Sequence, residues 1–316
     1  MPRLGFAVPH YDFSFPAPTG EPLSARALAY VDRAERLGFH RVWVSDHLFH
    51  EKPGQPRAAT AECWTLLAAV AARTRGVRVG SLVTPVGMRD PHLLARMAAT
   101  VDQVSGGRLD LGLGAGWQPE EFVEFGMDFP SAGRRIAQLE ETVDTVRESL
   151  AGDAPGMLPP IQRPTPPIWV GGKGDRTLAV AARVADGWNY VWYMTPEQYE
   201  NRLDALNAAC ADANRPFSDV RRSIGLHTLI GRDADDVERR WRRLQDWSPG
   251  KALVGVDLRD WAEPRLVGTP DEIVDQLRRW DLLGVEEVVC SFGWTFAIFD
   301  DEQLDLMAEH VLPHLD

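Results

Sequence analysis

Four stretches of this chain set reactive side chains close together. "SDHLFHE" (45–51) holds Asp46, His47, His50 and Glu51. "LGLGAGWQPEEF" (111–122) alternates Gly112, Gly114 and Gly116, then presents Trp117, Glu120 and Glu121. "GGKGDR" (171–176) packs Gly171, Gly172 and Gly174 around Lys173, with Arg176 following. "VPHYDF" (8–13) adds His10 and Tyr11. An aspartate beside a histidine suits proton transfer, because histidine ordinarily titrates near neutral pH. The same pair can equally be a structural hydrogen bond. A glycine turn feeding a helix aims backbone N–H groups and a positive dipole end at a phosphate. Lys173 and Arg176 would add charge there, although no Gly-Lys-Ser/Thr follows as a P-loop requires. His47, His50 and Glu51 lack a further ligand in sequence, so no metal site is expected. Of Glu120 and Glu121, at least one is expected to serve a helix N-terminus.

The glycines at 112–116 raise the question of a dinucleotide loop. That loop needs G-x-G-x-x-G between the first strand and its helix. Counted from Gly112 the third position is Trp117, and from Gly114 it is Pro119. The run also follows the fourth strand, with no helix expected directly after it. Two readings remain: tight packing of a strand end, or bare backbone against a flat ligand.

The elements that must position these residues alternate strand and helix. Strands are expected at 4–8, 41–46, 77–84, 109–114, 168–172, 187–192, 221–230 and 286–292. Helices are expected from Ser24, as cap, to Gly38, and over 60–74, 90–108, 134–151, 175–184, 196–213, 268–284 and 300–315. Thr269, Pro270 and Glu272 spell a capping box. A Pro-rich connector covers 152–167, and an irregular, Trp-rich insertion covers about 231–266. Trp64, Trp241 and Trp280 fall in helical patterns and read as packing. "VERRWRRLQ" reads as a solvated helix face. Eight β/α units in 316 residues point to a single (β/α)8 TIM barrel over 1–316, with the insertion before the last helix–strand–helix segment. In that fold the active site gathers at the C-terminal strand ends, where all four reactive stretches fall.

Composition narrows the function. A net charge of −12 opposes binding to nucleic acid or an anionic membrane surface. No apolar run reaches the roughly 20 residues of a membrane span, and the first residues lack a signal-peptide core. Three scattered cysteines suit a reducing cytoplasm. Only Lys52, Lys173 and Lys251 are lysines, so arginine dominates, as in a GC-rich bacterial genome. The expected partner is a small-molecule substrate, and a homodimer is compatible with these features.

"VWVSDHLF" (42–49), the run from Val77 to Gly126 and "PPIWVGGKGDRTLAVAARVADGWN" (166–189) together resemble the luciferase-like monooxygenase superfamily. Within it they are most similar to oxidoreductases that use the deazaflavin coenzyme F-420, although FMN-using relatives share the barrel. The resemblance implies a non-proline cis peptide on strand three, which motif matching puts at Ser81–Leu82, against the cofactor ring. It implies cofactor contacts from Asp46, Ser81, Leu82, Thr84, Gly114, Gly116, Trp117, Gly171, Gly172, Lys173, Gly174 and Arg176. His47 and Glu121 become the catalytic candidates, and His10, Tyr11 and Glu51 the substrate-pocket candidates. The chain departs from the family's sugar-phosphate dehydrogenases, having Trp117 where they carry an acid and Glu51 where they carry a tryptophan, so their substrate does not transfer. The implied reaction is hydride transfer between F-420 and a C=C, C=N or C=O/alcohol group. An FMN-dependent monooxygenase is the alternative, and a binding protein without catalysis is a third reading.

Overall fold

A computed structural model describes residues 1–15, 20–51, 57–152 and 156–315. Lys52 and residues 153–155 of the expected connector lie outside the described residues. Eight parallel strands close into a barrel: β1 (Arg3–Ala7), β2 (Arg41–Val44), β3 (Arg78–Ser81), β4 (Leu109–Gly114), β5 (Ile168–Gly171), β6 (Gly187–Trp192), β7 (Arg221–Ile230) and β8 (Glu287–Phe292). Each pairs with its neighbour in chain order, and β1 pairs with β8 to complete the circle. The bounds of β4, β6 and β7 coincide with the expected ones.

Helices pack outside the strands: α1 (Leu23–Arg36), α2 (Cys63–Arg73), α3 (Pro91–Ser105), α4 (Pro119–Glu124), α5 (Ala132–Ala151), α6 (Asp175–Val184), α7 (Pro196–Asp212), α8 (Ala234–Trp247), α9 (Leu258–Ala262), α10 (Pro270–Leu282) and α11 (Glu302–His310). Strand periodicity sorts the two sides. Leu109, Leu111 and Leu113 of β4 join the apolar layer beneath the helices, whereas Asp110, Gly112 and Gly114 point into the barrel. Thr269 and Glu272 form the expected capping box of α10. Ser24 does not cap α1. That helix starts at Leu23 with extended Pro22 at its cap, so Ser24 already lies in the first turn. Trp64, Trp241 and Trp280 are buried packing residues.

The lower barrel is filled by charge rather than hydrocarbon. Arg41 Nε lies 2.9 Å from Asp110 Oδ2, and Arg41 also pairs with Glu287. Arg78 Nε donates to Asp110 at 2.6 Å. The Trp169 indole donates to Asp110 at 3.1 Å and the Trp43 indole to Glu287 at 2.8 Å. Burial alone would raise the Asp110 carboxyl, but Arg41 and Arg78 hold it below the ordinary range. The two indole rings meet edge-on at 6.2 Å above this network and give the mouth its floor.

The strand-three peptide differs from expectation by one residue. The cis bond is Leu82–Val83, not Ser81–Leu82. Ser81 is still in register with Val44, and its hydroxyl donates to the Gly112 carbonyl at 2.9 Å, so the chain leaves the strand one residue later. A second cis bond, Val191–Trp192, ends β6. The strand-end glycines make room for this backbone. A Cβ on Gly112 would stand 2.0 Å from the Ser81 carbonyl oxygen. One on Gly114 or Gly171 would stand 2.6 or 2.8 Å from Val83 methyls. Gly116, at φ +75°, faces the Phe122 ring. The space a side chain would take at these glycines is filled by the protein's own Ser81, Val83 and Phe122.

The segment after β7 is not irregular. It forms α8 and α9, and Leu266–Gly268 then pairs alongside β7 from Thr228 to Ile230. Trp241, Trp261, Leu244, Leu253 and Phe299 give it a small core of its own. Nor is its basic run wholly solvated, since Arg240 is buried among Asp236, Asp300 and Glu302.

Gly112→Ala forces a methyl against a fixed carbonyl, so it should destabilise by about 3 kcal/mol, the upper range for overpacking. Gly76→Ala, whose new methyl meets nothing nearer than 3.8 Å, serves as the control. Urea midpoints of the two variants check this. Equal midpoints would refute the packing role.

Candidate active site

The loop after β2 carries His47 to the barrel mouth, where its side chain is 17% exposed. Its Nδ1 lies 2.9 and 3.0 Å from the two Glu121 carboxylate oxygens. Glu121 is buried, and its Oε1 also accepts the Leu48 and Phe49 backbone N–H groups at 3.0 and 3.3 Å. The carboxylate thus fixes both the ring and the loop that bears it, leaving Nε2 as the ring's other nitrogen. Glu121 is brought there by α4, a six-residue helix directly after the glycine run, where the sequence pattern predicts a loop. Glu120 and Glu121 occupy its first turn. Trp117 stands beside this pair, 57% exposed, with its ring edge-on to His47 at 5.7 Å.

Several expected ligand contacts are committed elsewhere. Asp46 is buried and held bidentately by Arg89, at 2.6 and 3.2 Å. Burial keeps its carboxyl above the ordinary range despite Arg89 and a Thr84 hydrogen bond. Thr84 is buried and accepts the Trp64 indole N–H at 3.1 Å. Ser81 is buried in its bonds to Gly112. Leu82 is 5% exposed and packs over the Trp43–Trp169 floor, while Val83 is the half-buried residue of the bulge. Asp46, Ser81 and Thr84 therefore brace the site and do not offer free polar atoms to a ligand.

His10 and Tyr11 are also buried and bonded to their neighbours. The Tyr11 hydroxyl lies 2.6 Å from Ser45 Oγ, which lies 2.9 Å from His10 Nε2. His10 Nδ1 lies 2.6 Å from the Val8 carbonyl, an acceptor only. The chain of donors therefore runs Tyr11 to Ser45 to His10 to Val8, with His10 neutral. Burial pushes the His10 pKa down to about 4 and the Tyr11 hydroxyl up. Glu51 lies at the rim, paired with Arg57 at 2.8 Å, and Arg57 reaches Glu124 of α4 at 2.6 Å.

On the far side, Gly172 (φ +140°), Lys173 and Gly174 lead into α6, whose cap residue Gly174 contributes no capping side chain. Lys173 and Arg176 are exposed beside this open helix end, an arrangement that fits a phosphate. A wall missed by the sequence reading completes the mouth. His227 points inward from β7 between Trp192, at 5.7 Å, and Trp294, at 6.1 Å, and Phe296 meets Trp192 edge-on at 5.0 Å. The alternation Ser223–Gly225–His227 in β7 was the available signal for it. Among the described residues, no three His, Cys, Asp or Glu side chains gather as a metal site, and no helix is long and apolar enough to cross a membrane.

A family model described as luciferase-like monooxygenase matches residues 13–287. The chain is 31% identical over 255 residues to a phthiodiolone/phenolphthiodiolone dimycocerosates ketoreductase of Mycobacterium sp. (strain JLS), covering 69% of this chain and 66% of that one, just under two thirds. It is 29% identical over 233 residues to the F-420-dependent glucose-6-phosphate dehydrogenase of Amycolatopsis mediterranei (strain U-32), covering 70% and 68%. The crystal structure of the monooxygenase RslO1 from Streptomyces bottropensis superposes with a TM-score of 0.74 at 26% identity, covering 99% of this chain and 100% of that one.

His10 gives the site a pH signature. Its folded pKa lies below the ordinary 6.5, so the unfolded chain takes up the proton first as pH falls. The stability contribution is full above pH 6.5 and is lost as pH drops toward 4. By pH 5 the loss should be about 2 kcal/mol. His10→Gln, though less stable at pH 7.5, should lack this part of the decline between pH 7.5 and 5. Denaturant midpoints across that range check it, and parallel pH profiles for the two proteins would contradict it.

Proposed function

This chain belongs to the luciferase-like monooxygenase family, and we propose that it is an oxidoreductase using the deazaflavin coenzyme F-420 on a carbonyl, alcohol, C=C or C=N substrate. The observation that carries this reading is His47, fixed by Glu121 at the mouth above the strand ends. Similarity to an F-420-dependent dehydrogenase and to a ketoreductase supports it. When bound, the cofactor supplies or accepts the hydride, and the protein's part is positioning, water exclusion and proton handling.

Each group has a role in that scheme. Val83, seated on Gly114 and Gly171, would back the cofactor ring. The turn of Gly172, Lys173 and Gly174, with Arg176, would hold its phosphate. His47 Nε2 would give a proton to the reduced substrate or take one from an alcohol. Glu121 is a positioning residue, since its oxygens meet the His47 ring and the loop backbone. Trp117 would cover the ring face beside His47.

An FMN-dependent monooxygenase is the second reading, favoured by the likeness to RslO1. The two are exclusive because a deazaflavin reacts poorly with oxygen. Titration of the purified chain with reduced F-420 and with FMN, followed by fluorescence quenching, separates them. Tight FMN binding with oxygen consumption and no F-420 binding would reject the first reading.

His47→Ala should lower kcat by about 10²–10⁴-fold, the usual worth of a general acid–base, with cofactor affinity unchanged in the same titration. Unchanged turnover would remove His47 from the mechanism. Glu121→Gln keeps an acceptor for the loop N–H groups but loses the carboxylate on His47. Its kcat should fall about 10–100-fold, as for other groups that orient a reactive imidazole, with KM and the thermal midpoint little changed. A loss confined to the thermal midpoint would make Glu121 purely structural.

A further inference from the structure

Arg265 closes the inserted segment, immediately before Leu266–Gly268 runs alongside the end of β7. Its guanidinium carbon lies 4.8 Å from the Trp261 ring centre and 5.4 Å from that of Tyr193. Its Nη1 donates to the Trp261 carbonyl, and its Nε is buried without a partner. No carboxylate pairs with it among the described residues. Arg135 and Arg222 likewise bond backbone carbonyls beside an aromatic ring, and what sets Arg265 apart is its place at a strand end of the barrel mouth. Arg202 takes Asp175 at 2.7 Å, and Arg240 takes three acids. Burial lowers the Arg265 pKa to about 10, so it stays a cation at neutral pH. A half-buried cation without a counter-ion loses part of its hydration, and an arriving anion would offset that cost.

Its place in the fold puts this cation beside the candidate site. Tyr193 is 54% exposed and directly follows Trp192 at the end of β6. The Met194 N–H bonds the Pro264 carbonyl at 3.0 Å, which pins the insertion to that strand end. Lys173, in the turn after β5, holds its Nζ 5.8 Å from the ring of Tyr190 of β6. Two cations, Lys173 and Arg265, thus bracket the Tyr190–Tyr193 stretch. The aromatic faces hold the planar guanidinium, whose fork of donors suits a carboxylate or phosphate.

We infer that Arg265, clasped by Trp261 and Tyr193, is the receptor for an oxyanion, carboxylate or phosphate, on a ligand entering over the ends of β5 and β6. The inference rests on the reading that this mouth is the ligand site. The oxyanion belongs either to the cofactor's acidic end or to the substrate.

Titrations of the full chain test it, comparing wild type with Arg265→Met and Arg265→Lys. The probes are coenzyme F-420, the same deazaflavin without phosphate and acidic tail, and inorganic phosphate. Methionine keeps an apolar stem between the rings, and circular dichroism checks that each variant is folded. Phosphate should raise the wild-type thermal midpoint saturably, Arg265→Met should lose that shift, and Arg265→Lys should regain part of it. If Arg265→Met also binds F-420 at least ten-fold more weakly, and the tail-less form as wild type does, the oxyanion is the cofactor's. If F-420 affinity is unchanged while the phosphate shift is lost, the oxyanion is the substrate's. Identical responses of wild type and Arg265→Met to all three probes would overturn the inference. A wild type that binds no F-420 yet shows the Arg265-dependent phosphate shift would uphold the receptor and reject the cofactor reading.

Discussion

The upper barrel is organised by one packing constraint, the seating of Val83 in the space left by glycines on the next two strands. Gly114 and Gly171 each give up a side chain so that the Val83 methyls fit between them, and Gly112 does the same for the Ser81 carbonyl. Three strand ends are thereby locked to one another. The bulge can lean into the mouth only because that backing is continuous. Elements around it follow. Ser81 bonds across to Gly112, and the chain after Gly116 turns directly into the short helix that delivers Glu121.

Below this lock, charge replaces hydrocarbon. Arg41 and Arg78 meet Asp110, Arg41 meets Glu287, and two indoles donate to these carboxylates, which are buried away from solvent. Around the mouth the same logic recurs. Asp46 is spent on Arg89, and His10 on Ser45 and Val8. His47 differs because its ring is oriented by Glu121 while its side chain still reaches solvent. That contrast separates a poised imidazole from a buried one on the neighbouring strand.

Much of this was legible in the residues. Strand–helix alternation specified the barrel, and the runs 109–114, 187–192 and 221–230 matched β4, β6 and β7. The His47 and Glu121 stretches both fell at strand ends, although their 74-residue separation gave no sign that they touch. Other features were hidden for physical reasons. A six-residue helix such as α4 is too short for a periodic signal. Nothing local marks Arg89, out of many arginines, as the partner of Asp46. The cis bond fell one residue beyond the motif match because Ser81 is still held in register by its neighbours on both sides. The glycine run lies at a barrel strand end and not in a dinucleotide loop, and the space beside it is filled by Val83 and Phe122.

The order of the strands divides the proposed roles between two halves of the chain. The groups proposed for proton handling, His47 and Glu121, come from the loops of the first four strands. The groups proposed to hold a phosphate or other oxyanion, the glycine turn and Arg265, come from the last four. The two half-barrels meet at the β4–β5 and β8–β1 seams. On the proposed roles, a substitution in the C-terminal half would alter which anion is held while leaving His47 and Glu121 in place, except at Gly171, where the second half supports Val83 of the first.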